Sequence, residues 1–220
     1  MSKELKKGNR ETGMGALLPT EQERAFNIRF EEMMLGGAPK NTTIYTDFVA
    51  SKAPNKEIAM EELEDINEID DKGWTGFLKH DGLLYIPDYA IRGFIKSSLE
   101  IAIAIGSVDK VSWYKKWVDS MVFVFPRRIL IGGKSEPDGV LERPLRAQTA
   151  QGPRVALAKS EYVNPGTEIS FKIRLQENHK GLTWDVIDKC LDYGVRVGIG
   201  QWRGSGGYGR FTWKEIPVSV

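Results

Sequence analysis

The sequence predicts an α+β protein with a ferredoxin-like, RRM-like β-α-β-β-α-β core carrying long insertions. Three observations predict it. TEISFKIRL (167–175) alternates apolar and polar residues, as a half-buried strand does. Two segments, 82–106 and 183–198, space their apolar residues as one helix face does. The remaining apolar, β-branched runs fall before, between and after these helices, in the order shared with RNA-recognition folds.

Taken in order, residues 1–22 are polar and glycine-containing and predict a flexible arm, with a single domain from 23 to 220. RAFNIRFEEMML (24–35) predicts the first strand, ending at Gly36-Gly37. A first insertion, about 38–80, carries Pro39, Pro54, Gly73 and the acidic run MEELEDINEIDDK (60–72). Its seven carboxylates lack the D-x-D-x-D-G spacing of a calcium loop, so it reads as a solvated helix face or loop.

GLLYIPDYAIRGFIKSSLEIAIAIG (82–106) predicts the first helix, begun by Pro87 and Asp88 and stopped by Gly106. Its apolar set is Ile91, Phe94, Ile95, Leu99, Ile101, Ala102 and Ile105. Arg92 and Lys96 stand four residues apart and share a face beside Gly93, which thins the helix surface. SMVFVFPRRILIGG (120–133) predicts a strand interrupted at Pro126, with Arg127-Arg128 at the break.

The second insertion, 134–166, has turn signals at Pro137-Asp138-Gly139, Gly152-Pro153 and Asn164-Pro165-Gly166. Within it RPLRAQTAQGPR, with Arg143, Arg146 and Arg154, shows little periodicity and reads as an ordered functional loop or a flexible arm. After the alternating strand, TWDVIDKCLDYGVRVG predicts a helix capped by Thr183. Trp184, Ile187, Cys190 and Leu191 form its stripe, and it stops at Gly194 or Gly198. RFTWKEIPVSV closes the chain as a strand.

Composition narrows the chemistry. Of 220 residues 41% are hydrophobic, enough for a real core. The net charge of +1 means that nucleic-acid affinity must come from local clustering. One cysteine excludes an intramolecular disulfide and a thiolate zinc cluster, and Cys190 reads as a small buried residue. The two histidines, His80 and His179, are isolated beside turn glycines and form neither a metal site nor a triad. No cofactor is expected. The absence of a long apolar run and of a signal-peptide core predicts a cytoplasmic protein with no membrane partner.

GIGQWRGSGGYGRF (198–211) is the most unusual stretch, with glycine at 198, 200, 204, 206, 207 and 209. Gly204 to Gly209 formally spells GxGxxG, but a dinucleotide fingerprint needs a helix after it and an acidic residue about twenty positions on. Only a strand follows, so the loop reads as backbone that approaches a polynucleotide phosphate, or as glycines that pack the loop on the first helix.

Together, Leu35-Gly36-Gly37, DGLLYIPDYAIRGFIKSSLE (81–100) and the glycine-rich loop resemble the CRISPR-associated RAMP superfamily. The likeness is to the backbone subunits of type III effector complexes, which bind crRNA. The middle phrase is similar to that family's G-x-x-Y-I-P-G-S-S-[IL]-[KR]-G-x-[LI]-R helix start, but with Asp88-Tyr89-Ala90 in place of Gly-Ser-Ser. In target-cleaving members an aspartate follows the Gly-Gly turn. Here that stretch reads Ala38-Pro39-Lys40-Asn41-Thr42, and Asp47 is the nearest carboxylate. Neither histidine matches the one used by precursor-processing members.

The resemblance implies an RNA-binding subunit that polymerises along a guide RNA, pairs that guide with a complementary target and contacts copies of itself and other effector subunits, while the unmatched aspartate after Gly36-Gly37 argues against cleavage. A family endoribonuclease using Asp47, or a stand-alone single-strand-binding protein of a mobile element, are the alternatives. On this reading Arg92, Lys96, Arg127, Arg128, Arg143, Arg146 and Arg154 line one face and neutralise the strand. Trp202 and Tyr208 stack on bases or are buried hinge aromatics. Arg203 and Arg210 hold phosphate with the backbone at Gly204, Gly206 and Gly207.

Overall fold

The computed structural model describes residues 21–42, 73–149, 152–177 and 181–218. In chain order the elements are β1 (Glu21–Phe30), β2 (Met34–Leu35), β3 (Ala38–Pro39), β4 (Trp74–Gly76), β5 (Leu78–His80) and β6 (Leu83–Pro87). There follow α1 (Asp88–Ala104), α2 (Tyr114–Met121), β7 (Val122–Phe125), β8 (Arg128–Leu130), β9 (Gly139–Thr149), β10 (Gly152–Val163), β11 (Glu168–Gln176), α3 (Trp184–Asp192) and β12 (Phe211–Ile216). The class is α+β.

Alternation builds the central sheet. β11 buries Ile169, Phe171, Ile173 and Leu175, and β1 lies antiparallel to it with Phe26 opposite Phe171 and Ile28 opposite Ile169. β12 flanks β1 and β7 flanks β11, giving an all-antiparallel order β12-β1-β11-β7. The apolar face meets the helices: Phe26 packs its ring 6.1 Å from Trp184 of α3 and 5.7 Å from Trp213 of β12. Each such fully buried large side chain contributes about 1.5–3 kcal/mol. At the sheet margin Arg24 ties three elements together, with Asp188 at 3.0 Å and Glu215 at 2.6 Å.

α1 fulfils its helical spacing by burying Ile91, Phe94, Ile95, Leu99 and Ala102. Ile101 and Ile105, counted with that stripe in the sequence, instead face outward at 38% and 61% exposure, because the stripe is narrower than the apolar run. Cys190 is fully buried in α3, and burial pushes its thiol up to about 12. Thr183 takes the extended N-cap conformation but makes no side-chain cap bond. The Glu177 carboxylate accepts the Trp184 amide N–H instead.

Two further sheets, one of five strands and one of three, carry the strands of the expected insertions together with β2, β6 and β8 from outside them. One has the order β2-β10-β4-β3 with β9 paired on β10, and the other the order β5-β6-β8. The segment expected to be a loop or arm, 134–166, is mostly an antiparallel ribbon of β9 and β10, with Arg143 opposite Ala158. It escaped detection because the buried end of β10, at Ser160, Glu161 and Val163, is largely polar and shows no apolar alternation.

The run 24–35 divides: β1 begins at Glu21, two residues inside the expected arm, and Met34–Leu35 leaves for another sheet. Likewise 120–133 divides at Pro126, β7 joining the central sheet and β8 pairing with β6, and its first two residues end α2. Among the described residues no helix is long and apolar enough to cross a membrane.

Candidate nucleic-acid interface

Gly36 and Gly37 let β2 turn sharply into β3, and a Cβ at Gly36 would sit 2.2 Å from the Gly76 carbonyl carbon. This close crossing brings the β2–β3 turn and β4 against α1 and the glycine-rich loop. Between them lies a groove of about 770 Å³. Its apolar lining includes Leu35, Pro39, Phe77, Tyr89 and Ile199, and Arg92, Lys96 and Arg203 supply its cations.

α1 presents Arg92 and Lys96 on one face, as their spacing predicts, with Gly93 between them and no atom within 4 Å of where its Cβ would lie. Arg92 donates to the Asp88 carboxylate at 2.6 Å, and Lys96 pairs with Asp119 of α2. Burial raises the Asp88 carboxyl above its ordinary value, against the opposing charges of Arg92 and Arg127. Asp88, which replaces a glycine of the family pattern, thus turns toward Arg92.

Arg203 differs. It donates to Ser97 Oγ at 3.3 Å, no described carboxylate pairs with it, and burial lowers its pKa. A guanidinium held half out of water, with no counter-ion among the described residues, favours the arrival of an anion.

The glycine-rich loop makes its close approaches to the protein itself. The Ile199 amide donates to Gly209 O, Gln201 to Leu35 O, Gly204 to Val197 O and Gly209 to Met33 O. A Cβ at Gly200 would lie 2.4 Å from Leu35 O, whereas one at Gly204 would meet nothing within 4 Å. The first glycines therefore seat the loop and the later ones leave its crown bare.

Gln201 is fixed from below: its Oε1 accepts from Ser160 Oγ at 3.0 Å and from Thr75 Oγ1. Beneath it Lys40 and Glu161 form a buried ion pair. None of the five, Gln201, Ser160, Thr75, Lys40 and Glu161, stood out in the sequence as a site residue.

The remaining expected residues lie outside the groove lining. Arg128 sits 5.9 Å from the Tyr85 ring, and Arg127 lies near Asp88 at the start of α1. Arg143 rests against Trp202 at 4.5 Å and Tyr208 at 5.5 Å, so the two rings face a cation of the same chain. Arg210 borders Gly207, and its backbone carbonyl accepts from Glu31 and Glu32. The Arg146 and Arg154 side chains, Asp47, His179, the acidic run 60–72 and most of the expected arm fall outside the described residues. His80 lies in β5 with its Nε2 3.5 Å from Asp81.

The outward face of the central sheet offers a different surface. Its middle strands carry Asn27, Ser170 and Lys172 rather than aromatics, and Asn27 is bonded to Glu168 and Ser170. RNA-recognition modules stack bases on aromatics at such positions, and these strands provide none.

No protein-family model matches the chain, and no curated protein matches it. Among solved structures it is similar to one chain of the cryo-EM structure of the Type III-B Cmr-beta bound to cognate target RNA. The identity is 14% and the TM-score 0.45, over 91% of this chain and 62% of that one. The chain thus spans less than two-thirds of that neighbour's length, and a likeness of this degree assigns neither family nor activity.

Proposed function

We propose that this chain is an RNA-binding backbone subunit of a CRISPR or CRISPR-derived ribonucleoprotein effector, non-catalytic and cytoplasmic, which holds a single-stranded guide in the groove beside α1. The observation that carries the reading is Arg203, a guanidinium with no ion pair among the described residues, which shares one groove with Arg92, Lys96 and the bare backbone of Gly93. Phosphates would meet these cations while the apolar lining receives ribose or base. Sequence specificity would belong to the guide's pairing with its target.

The strand order β12-β1-β11-β7, with α1 following β1 and α3 following β11, supports a ferredoxin-like core. In this reading residues 23–220 are one domain, and the segments 38–80 and 134–166 are its insertions. The three sequence phrases that resemble the RAMP superfamily converge at the groove: the Gly-Gly turn, the start of α1 and the glycine-rich loop. Subunits would associate head to tail along the RNA.

The test is to purify the chain from its native host and sequence any nucleic acid that accompanies it. Mass by light scattering with oligoribonucleotides of increasing length is then recorded. Guide-like RNA and a mass that rises in steps with length are expected. A chain that stays monomeric with excess RNA excludes the polymer. Cleavage of complementary RNA at regular spacing with a divalent metal excludes the non-catalytic role.

A further inference from the structure

Four residues around the crown of the glycine-rich loop are left unused by the groove. Arg143, from the base of the β9–β10 ribbon, lies over the rings of Trp202 and Tyr208, with its guanidinium carbon 4.5 Å and 5.5 Å from their centres. No described carboxylate pairs with it, and its Nη1 is buried without a hydrogen-bond partner. Arg210 is in the same condition at its Nε. Both reach consecutive glycines: a Cβ at Gly206 would lie 3.8 Å from Arg143 Nη1, and one at Gly207 3.5 Å from Arg210 Nη2.

Trp202 adds a second kind of observation. Its φ of 57° is left-handed, a region that costs a non-glycine residue about 1–2 kcal/mol. A tryptophan kept there at a penalty has work to do, and what its ring touches is Arg143. Gly206 is where a side chain would collide with Trp202 Cβ at 3.2 Å and the Tyr208 ring at 3.3 Å.

From this arrangement we infer that Arg143 and Arg210 form a second anion site, outside the groove, whose ligand is a phosphate group, and that Trp202 and Tyr208 are positioning residues that hold Arg143 rather than stack on bases. The rings fix the guanidinium before a ligand arrives, and the glycine backbone lets a phosphate come close. Two fixed guanidiniums suit phosphate because each presents a planar fork of donors. In naming RNA as the natural source of that phosphate, the inference rests on the function proposed above; as an anion site it does not.

The experiment uses the full chain, a labelled 12-nucleotide oligouridylate and the matching abasic ribose-phosphate oligomer, with affinity followed against salt. Each phosphate contact to a single strand contributes about 0.7 to the salt slope, so Arg143→Gln with Arg210→Gln should lower it by about 1.4. The loss should be equal for both oligomers, and Trp202→Leu should weaken both alike. If Trp202→Leu weakens only the oligomer that carries bases, the rings are stacking platforms and the inference fails. If the arginine pair leaves the slope unchanged while Arg92→Gln with Arg203→Gln lowers it, the inference fails and the groove reading stands.

Should the native chain bind neither oligomer, the groove reading fails, and inorganic tripolyphosphate decides the site alone. Tripolyphosphate-dependent tryptophan fluorescence that disappears in the double arginine variant supports it, and no response in the native chain overturns it. If Arg143→Gln fails to fold by circular dichroism, Arg210→Gln alone replaces the pair, with an expected fall in slope of about 0.7, and an unchanged slope overturns the inference.

Discussion

Lys40 Nζ lies 3.1 Å from Glu161 Oε2, and the pair encloses the backbone of Phe77, whose carbonyl accepts from Lys40 at 2.8 Å and whose amide donates to Glu161 at 2.9 Å. Both side chains are nearly excluded from water. Removing one partner strands the other charge, so Lys40→Met or Glu161→Gln should each cost about 3–5 kcal/mol in urea unfolding. The double variant Lys40→Met with Glu161→Leu should recover part of that loss but not all, because both Phe77 groups lose their partners. Additive losses would show that the two charges do not compensate each other.

Arg203 stands at the opposite extreme, a cation without a counter-ion among the described residues. Arg203→Met is expected to stabilise the free protein by about 0.5–2 kcal/mol, as changes that relieve a functional site do. It should also lower the salt slope of RNA binding by about 0.7. Calorimetry and a salt titration on one preparation measure both, and a variant that loses stability together with affinity would make Arg203 a structural residue.

Asp88 gives the stability of the fold a pH dependence. Burial raises its folded pKa above the unfolded value, despite Arg92 and Arg127, so its contribution favours the fold most below the unfolded value and is lost as pH rises through the raised folded value. Asp88→Asn should therefore compare best with the native chain near neutrality, and its advantage should shrink in acid. Glu215 runs the other way: the hydrogen bond from Arg24 lowers its pKa, so its contribution is present above the unfolded value and falls away as pH drops through the folded one. Unfolding free energies of Asp88→Asn and Glu215→Gln across that acidic range should show trends of opposite sign.

The glycines of the loop should not be equivalent. Gly204→Ala meets open space and pays only for its φ of 70°, about 1–2 kcal/mol. Gly209→Ala has a similar φ of 66° and would also place its Cβ 1.8 Å from Ile199 O, adding about 1–3 kcal/mol or more. Thermal unfolding of the two variants separates glycines that seat the loop from those that leave its crown bare.

What was legible in the sequence followed where one face is buried and the other wet. β11 and α1 are such elements, and both were found with nearly the right ends. The β9–β10 ribbon was not found, since the buried end of β10, Ser160, Glu161 and Val163, carries no apolar alternation. The glycine-rich loop was recognised as a place of close approach, but sequence alone did not say that most of that approach is to Met33, Leu35 and Val197. Arg92, Lys96 and Arg203 were named and do share a wall, whereas Lys40 and Glu161 look like ordinary surface charges until folding buries them. Spacing along the chain locates neighbours on one element and is silent on pairs brought together by a crossing such as Gly36 over Gly76.

That crossing has a thermodynamic consequence. The groove walls come from the turn at 35–39, from 76–96 with Asp119, and from 199–203, so no fragment of the chain contains it. A ligand of the groove therefore binds the native state alone, and occupancy at a hundredfold excess over Kd adds about 2.7 kcal/mol to the stability of the whole molecule. Oligonucleotide binding and resistance of β12 to proteolysis should rise together, as two readings of one equilibrium.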